Sequence, residues 1–540
     1  MKMKTLAIPV LGLTLVLPAA LPAQVGAAAA TRATVNTPAA DLRANLDHLL
    51  SEHFALAVTA MTKAYDGSKD AEEAYKALDQ NALDMQPAIT SLYGEKGGAE
   101  FERIFRAHNK YTDDLVKATK MNNKEAREKA LQQVQGFVDE FSTFLATATA
   151  GNLPKQAAKD AIRLHEDQVQ KTFDEYVAGD YKDAYAAYRE GYMTMFKISK
   201  ALSGAIVTQM PEKFNNTKSD TKAADLRSAL NSLASEHFAL SALEMQKQFD
   251  GRNDYTYLIA AEGGNTADFK AAIASIYGKD GANEFERIWT TNHVNAQSDY
   301  VNAVKSGNTQ QRDAVKQRID GFTVEFANFL DTATAQNLPK SASLPALRTH
   351  EGQVQTTLDK YAANDFQGSY ATNREGFKTM FGVGQALSNA IVNQFNDKFQ
   401  EASTPMPTPT PTPMPTESSV WMKLNSKSLT INGKVTMMDT MPMVWMNKTY
   451  IPLRYLGEGI GANVQYDAKT QSVWVTAGSD TLKFWINKDF MEVNGMRKSV
   501  GAKVIVNKDG RTVVPVRFIA ELLGWNVNFD AGQIHLTKSM

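Results

Sequence analysis

The chain has 540 residues, 43% hydrophobic and 22% charged, more than one core can organise, so three or four domains are expected. A formal net charge of −1 supplies no general attraction for nucleic acid. The absence of cysteine excludes disulfides, thiolate metal ligands and cysteine nucleophiles.

At the N-terminus, Lys2 and Lys4 precede an apolar stretch from Leu6 to Leu17, followed by small residues through Val25-Gly26-Ala27. Pro9 and Pro18 break the stretch, and it is too short to span a bilayer. Residues 1–30 therefore read as a signal peptide, cleaved near Ala27 to Ala30. No other segment approaches 18 apolar residues. The expectation is a secreted protein, at the cell surface or wall, with no transmembrane span once processed.

Residues 38–217 and 222–402 read as one helical unit used twice. Ser51-Glu52-His53-Phe54 returns as Ser235-Glu236-His237-Phe238, Glu100-Phe101-Glu102-Arg103 as Glu284-Phe285-Glu286-Arg287, and Arg189-Glu190-Gly191 as Arg374-Glu375-Gly376. In the first copy, Leu42, Leu46, Leu49, Leu50, Phe54, Ala57 and Met61 keep helical spacing until Asp66-Gly67. Further helices are expected near 70–93, 98–120, 124–149, 155–178 and 181–209, punctuated by Gly94, Gly97-Gly98, Asn122-Asn123, Pro154 and Gly179. Each copy is then an all-α antiparallel bundle of four to six helices. The step between copies changes from 184 to 185 residues just before His108 and His293. One copy has gained or lost a residue inside a helix, so a π-bulge or a local shift in helical phase is expected there.

Ser403 to Glu417 reads STPMPTPTPTPMPTE. Such a Pro/Thr-rich linker favours polyproline II and acts as a stiff spacer of ~45 Å. The composition then changes. Residues 418–540 are rich in β-branched and aromatic residues with Asn-Gly and Asp-Gly turns, and from Val420 onward hold 15 Lys+Arg against 9 Asp+Glu. A second internal repeat lies here, over about 429–477 and 491–537. Tyr450-Ile451-Pro452-Leu453-Arg454 returns as Val513-Val514-Pro515-Val516-Arg517, and Glu458 and Asp467 as Glu521 and Asp530. Each half reads as strand, strand, short helix, strand, so the module is small and α+β. Arg454 with Glu458, and Arg517 with Glu521, stand four apart and read as helix pairs.

At these residues the module resembles the copper amine oxidase N-terminal-like domain, an accessory, non-catalytic module of exported Gram-positive proteins. The resemblance implies an envelope-associated module without the amine oxidase chemistry. Consistently, the chain has no Asn-Tyr-Asp/Glu and no His-x-His copper pair. The helical repeats resemble an uncharacterised family of exported helical bundles, which supplies no role. A basic end module suits an anionic partner, namely a cell-envelope polymer such as peptidoglycan or an anionic wall polymer. Among its tryptophans, Trp421, Trp445, Trp474, Trp485 and Trp525, more are expected in the core than on a glycan-binding surface.

The residues that point to chemistry are histidines. His53, His108 and His165 recur as His237, His293 and His350. Each falls on an apolar stripe of a different helix and should project into its bundle. Three converging imidazoles would make a His₃ site for zinc or copper, or supply an axial ligand to haem. Met61, Met245, Met195 and Met380 also recur, and thioethers favour Cu(I). A simpler reading has each histidine hydrogen-bonded across the bundle to a tyrosine, an aspartate or a carbonyl, the tyrosines of the 181–196 stripe being natural partners. The glutamates next to the histidines, Glu52, Glu166, Glu236 and Glu351, are expected on the rim, because adjacent helical residues point about 100° apart. There is no Glu-x-x-His, His-Glu-x-x-His, Gly-x-Ser-x-Gly or P-loop. The expectation is therefore a non-enzymatic, envelope-associated modular protein whose bundles bind a ligand. The alternatives are a structural or adhesive surface protein without metal, and a metal-dependent enzyme.

Overall fold

The computed structural model describes residues 32–401 and 417–539, apart from 432–433, 447, 460–461, 468, 478–479, 495, 500–501, 517–524 and 531–532. The expected signal peptide, the linker up to residue 416 and the Arg517–Glu521 pair lie outside the described residues, as does the side chain of Glu458. Two compact units divide near residue 404. The first is helical and the second rich in strands.

The first copy folds as α1 (Pro38–Asp66), α2 (Ala71–Lys120), α3 (Lys124–Ala148), α4 (Lys155–Ala178) and α5 (Tyr181–Gln209). Thr37 accepts a hydrogen bond from Ala40 N to cap α1, and Asn123 caps α3 in the same way. The two helices expected over 70–93 and 98–120 meet at a kink within α2, at Gly94, whose backbone is non-helical with φ 74° and ψ 175°. Positive φ is cheap only for glycine, so this residue sets the bend. Gly278 repeats it in the second copy, with φ 76°.

The second copy comprises α6 (Lys222–Asp250), α7 (Tyr255–Trp289), α8 (Asn295–Lys305), α9 (Thr309–Ala333), α10 (Lys340–Ala362), α11 (Phe366–Gln394) and the single turn α12 (Asn396–Phe399). Between α7 and α8 lies a π-helical turn, Thr290–Val294, which contains His293. The extra residue is absorbed there. One widened turn restores the helical phase, so His293 points where His108 points on the unbroken α2.

The copies form one unit rather than two beads. α1 packs on α6 and α11, and α5 on α6 and α7. Their main polar contacts occur twice, related by a pseudo-twofold. Arg43 donates to Asp225 at 2.5 Å and Arg227 to Asp41 at 2.5 Å. Arg189 forks onto Glu236 and reaches Asp268, while Arg374 forks onto Glu52 and reaches Asp84. Lys63 is fully buried, 2.9 Å from Asp70, and donates to Tyr361 across the seam. Lys247, 3.0 Å from Asp254, donates to Tyr176. Breaking one partner of such a buried pair typically costs ~3–5 kcal/mol. The recurring Arg-Glu-Gly is explained here. Its Arg crosses the seam, and a Cβ on Gly191 or Gly376 would strike the ring of Phe54 or Phe238 at 2.4 or 2.2 Å.

Among the described residues, the second unit holds three antiparallel sheets and the helix α13 (Leu453–Gly459). One sheet runs β13 (Asn526–Asp530), β14 (Gln533–Ser539), β1 (Glu417–Lys423), β2 (Ser428–Ile431), β3 (Lys434–Met437). Another runs β10 (Met496–Ser499), β9 (Phe490–Val493), β8 (Asp480–Trp485), β7 (Ser472–Ala477), β6 (Asn463–Asp467). The third is β11 (Ile505–Val506), β12 (Thr512–Pro515), β5 (Lys448–Pro452), β4 (Met443–Trp445). The repeated motifs are neighbours there, with Val514 opposite Ile451 and Pro515 opposite Tyr450. Among the described residues, no helix is long and apolar enough to cross a membrane.

The seam is isologous, since each patch meets its own equivalent. Residues 32–220 expressed alone are therefore expected to sediment as a homodimer at micromolar concentration. A well-folded monomer there would show that the seam is not self-complementary.

Asp47 lies on the seam, buried and hydrogen-bonded by Ser199. Burial, opposed by Ser199, Ser228 and the nearby arginines, pushes its carboxyl up to about 6. Between its usual value of 3.8 and about 6, the folded chain keeps a proton that the unfolded chain has released. Stability from this group therefore falls as pH rises through that window. The equivalent residue in the second copy is Asn231. Asp47→Asn is expected to add about 3 kcal/mol to unfolding free energy at pH 7 and nothing near pH 3.5. Denaturant melts at the two pH values check this, and an equal gain at both would refute it.

Candidate metal centres

His53 sits on α1 between Leu49 and Ala57, His108 on α2 beyond Ile104 and Phe105, and His165 on α4 between Ile162 and Val169. The helices bring all three to one point. One ring nitrogen from each lies within 4.8 Å of the others, and the same holds for His237, His293 and His350. Three nitrogens bound to one tetrahedral zinc at ~2.0–2.1 Å stand ~3.3 Å apart, so small ring rotations close the set. Phe137 stacks on His108 at 4.2 Å and Phe322 on His293 at 4.5 Å, which fixes those rings.

The first-copy imidazoles are almost without hydrogen-bond partners. His53 is 2% exposed, and neither of its ring nitrogens is hydrogen-bonded. The nearest carboxylate oxygen in the first copy, Glu166 Oε1, is 3.4 Å from His108 Nε2 and 3.7 Å from His165 Nε2. The tyrosines bond elsewhere. Tyr185 and Tyr370 donate across the seam to Asp254 and Asp70, and Tyr176 and Tyr361 to Asp66 and Asp250. Burial lowers His108 to about 3, His165 and His350 to about 4 and about 3, and His53 well below its usual value. Burial pushes Glu166 up to about 8. The first cluster is thus a set of neutral donors in a dry interior.

Two expectations about the glutamates divide. Glu52 and Glu236 lie at helix contacts, held by Arg374 and Arg189. Glu166 and Glu351 are not on a rim but buried against the histidines. Ile162, His165, Glu166 and Val169 stand at i, i+3, i+4 and i+7, so Glu166 belongs to the interior face itself.

The sequence reading missed a further set in the second copy. Glu262 Oε1 lies 3.0 Å from His237 Nδ1, Ser241 donates to Glu262 at 2.9 Å, and Gln297 donates to Ser241 at 3.0 Å. Burial works to raise Glu262, yet hydrogen bonds led by His237 bring its carboxyl below the usual range. Its neighbour Glu244 is pushed up to about 10 by burial and by Glu262. His293 Nε2 faces His237 Nε2 at 3.0 Å, and Glu351 Oε1 is 3.0 Å from His293 Nδ1. Comparing the copies for differences, rather than identities, would have exposed this network.

Each centre opens on an apolar cavity, of about 70 Å³ in the first copy and about 80 Å³ in the second. Met195 and Met380 line these cavities, and Met61 and Met245 do not. Pockets for drug-sized ligands measure ~300–1,000 Å³, so a haem does not fit beside these histidines without large rearrangement.

The second unit shows a different surface. Trp421 is 40% exposed and stacks on His535 with ring centres 3.5 Å apart. Trp474 is 39% exposed, and Lys483 lies over both Trp474 and Trp485. Only Trp525 among the five is buried, a correction to the core placement expected for most of them. Their strands alternate, and these rings fall on the outward side.

Residues 430–537 match the family model of the copper amine oxidase N-terminal domain. This is a non-catalytic accessory domain, and the match lies wholly within the second unit. No curated protein and no solved structure matches the chain. The copper amine oxidase N-terminal domain therefore accounts for the β-rich module and leaves the two histidine clusters to be read from their geometry.

Proposed function

We propose that the helical unit is a non-enzymatic binder of two metal ions, zinc or copper, displayed outside the cell by the C-terminal module. The observation that carries this reading is the convergence of six buried imidazoles into two His₃ clusters, in which both ring nitrogens of His53 and of His350 lack a hydrogen-bond partner. Buried polar groups are normally satisfied, and nothing in the protein satisfies His53. A metal ion would. His53, His108 and His165, and likewise His237, His293 and His350, would hold the ion, and a four-coordinate metal would need one further ligand there.

The signal peptide supports export, and the Pro/Thr linker supports separation of the bundles from the module. The module's excess of Lys and Arg, with Trp421 and Trp474 outward, supports attachment to a cell-envelope polymer, peptidoglycan or an anionic wall polymer. The stacking of His108 and His293 on phenylalanines favours the other reading, a structural or adhesive protein whose histidines only pack.

Elemental analysis separates the two. The full chain, purified without a His-tag and offered zinc and copper in turn, is expected to retain two equivalents. His108→Ala and His293→Ala should each lose one. Retention of neither metal would establish the packing reading. Separately, the isolated module is expected to pellet with purified cell walls in low salt and to release as salt rises, since exposed charge contacts are screened. Wall binding that is indifferent to salt would refute attachment through charge.

A further inference from the structure

The two centres differ in what stands behind their ligands. We infer that the second-copy centre is a divalent-cation site of higher affinity, and that the first-copy centre takes a singly charged ion, Cu(I). This rests on the metal reading above.

Behind His237 stands the buried network of Glu262, Ser241 and Gln297. The equivalent positions in the first copy are Leu78, Ala57 and Thr112. A carboxylate on Nδ1 holds the ring proton there and turns the Nε2 lone pair toward the centre. Glu351 stands in the same relation to His293. The two Nε2 atoms then face each other at 3.0 Å. At that distance one ring donates to the other in the metal-free protein, and a shared cation would displace that proton and take both lone pairs. Carboxylates behind two of the three ligands raise their basicity and offset a double charge in a dry interior.

The first copy lacks this arrangement. His53 has no partner on either nitrogen, and a single carboxylate, Glu166, serves His108 and His165 at 3.4 and 3.7 Å. A doubly charged ion there would be left under-compensated, which costs free energy in an apolar surrounding. A singly charged ion needs one carboxylate at most, and imidazoles suit copper. Glu262 is thus a positioning residue that separates the two centres.

The test is a competition titration of the metal-free full chain with Zn²⁺ alone, then with Cu(I) under reducing conditions. One tight zinc equivalent is expected, with a second at least ~10-fold weaker. Cu(I) added to the chain carrying one zinc should bind without releasing it. Glu262→Gln should weaken the tight equivalent ~10–100-fold, with the helical circular-dichroism signal of the metal-free chain retained and Cu(I) binding intact. Two zinc equivalents of equal affinity, or release of zinc by the first equivalent of Cu(I), would overturn the inequality on the wild-type chain alone. Failure to bind either ion would overturn the metal reading itself, which is a different result.

Discussion

The reciprocal clamp of Arg374 on Glu52 and Arg189 on Glu236 is the constraint on which the rest depends. Each arginine comes from one copy and grips the residue beside the central histidine of the other. Asn81 and Asn265 hold the same glutamates from within their own copies. One turn of α1 therefore carries the seam on one side and the cluster on the other. That is why α1 and α6 are buried almost all round between Ser51 and Lys63, and between Leu230 and Lys247. Helices hydrophobic or satisfied on every side belong in the middle of a fold, and these two make the middle of this one. A histidine fixed on such a helix cannot swing out to water.

Much of this was legible in the sequence. Duplicated histidines on apolar stripes require inward projection, and helix ends at Asp66, Lys120 and Ala178 follow from residues that cannot continue a helix. The change of step before His293 pointed to a widened turn, since a helix can absorb one residue without losing phase in few other ways. Gly94 reads as a stop in a linear pattern, and its non-helical backbone does interrupt α2, whose two halves meet there at a kink.

What escaped reading is mostly relational. The tyrosine stripe looked like company for the histidines, yet Tyr185 and Tyr370 spend their hydroxyls on aspartates of the other copy. Nothing in the spacing of one copy reveals a partner supplied by the other. Glu262 was hidden for a related reason. At its position the first copy has Leu78, so a search for shared residues passes over it. The tryptophans of the C-terminal module were misplaced by composition, which knows hydrophobicity but not which side of a strand faces out.

The pseudo-twofold seam has a consequence for how such a protein can diversify. A true homodimer writes every substitution into both halves, so any residue that suits one site is imposed on its twin. Here the twofold is enclosed within a single covalent chain. Asp47 can face Asn231, and Leu78 can face Glu262, without either choice being copied. The chain keeps the self-complementary surface of a dimer while its two interiors are free to become different chemical environments.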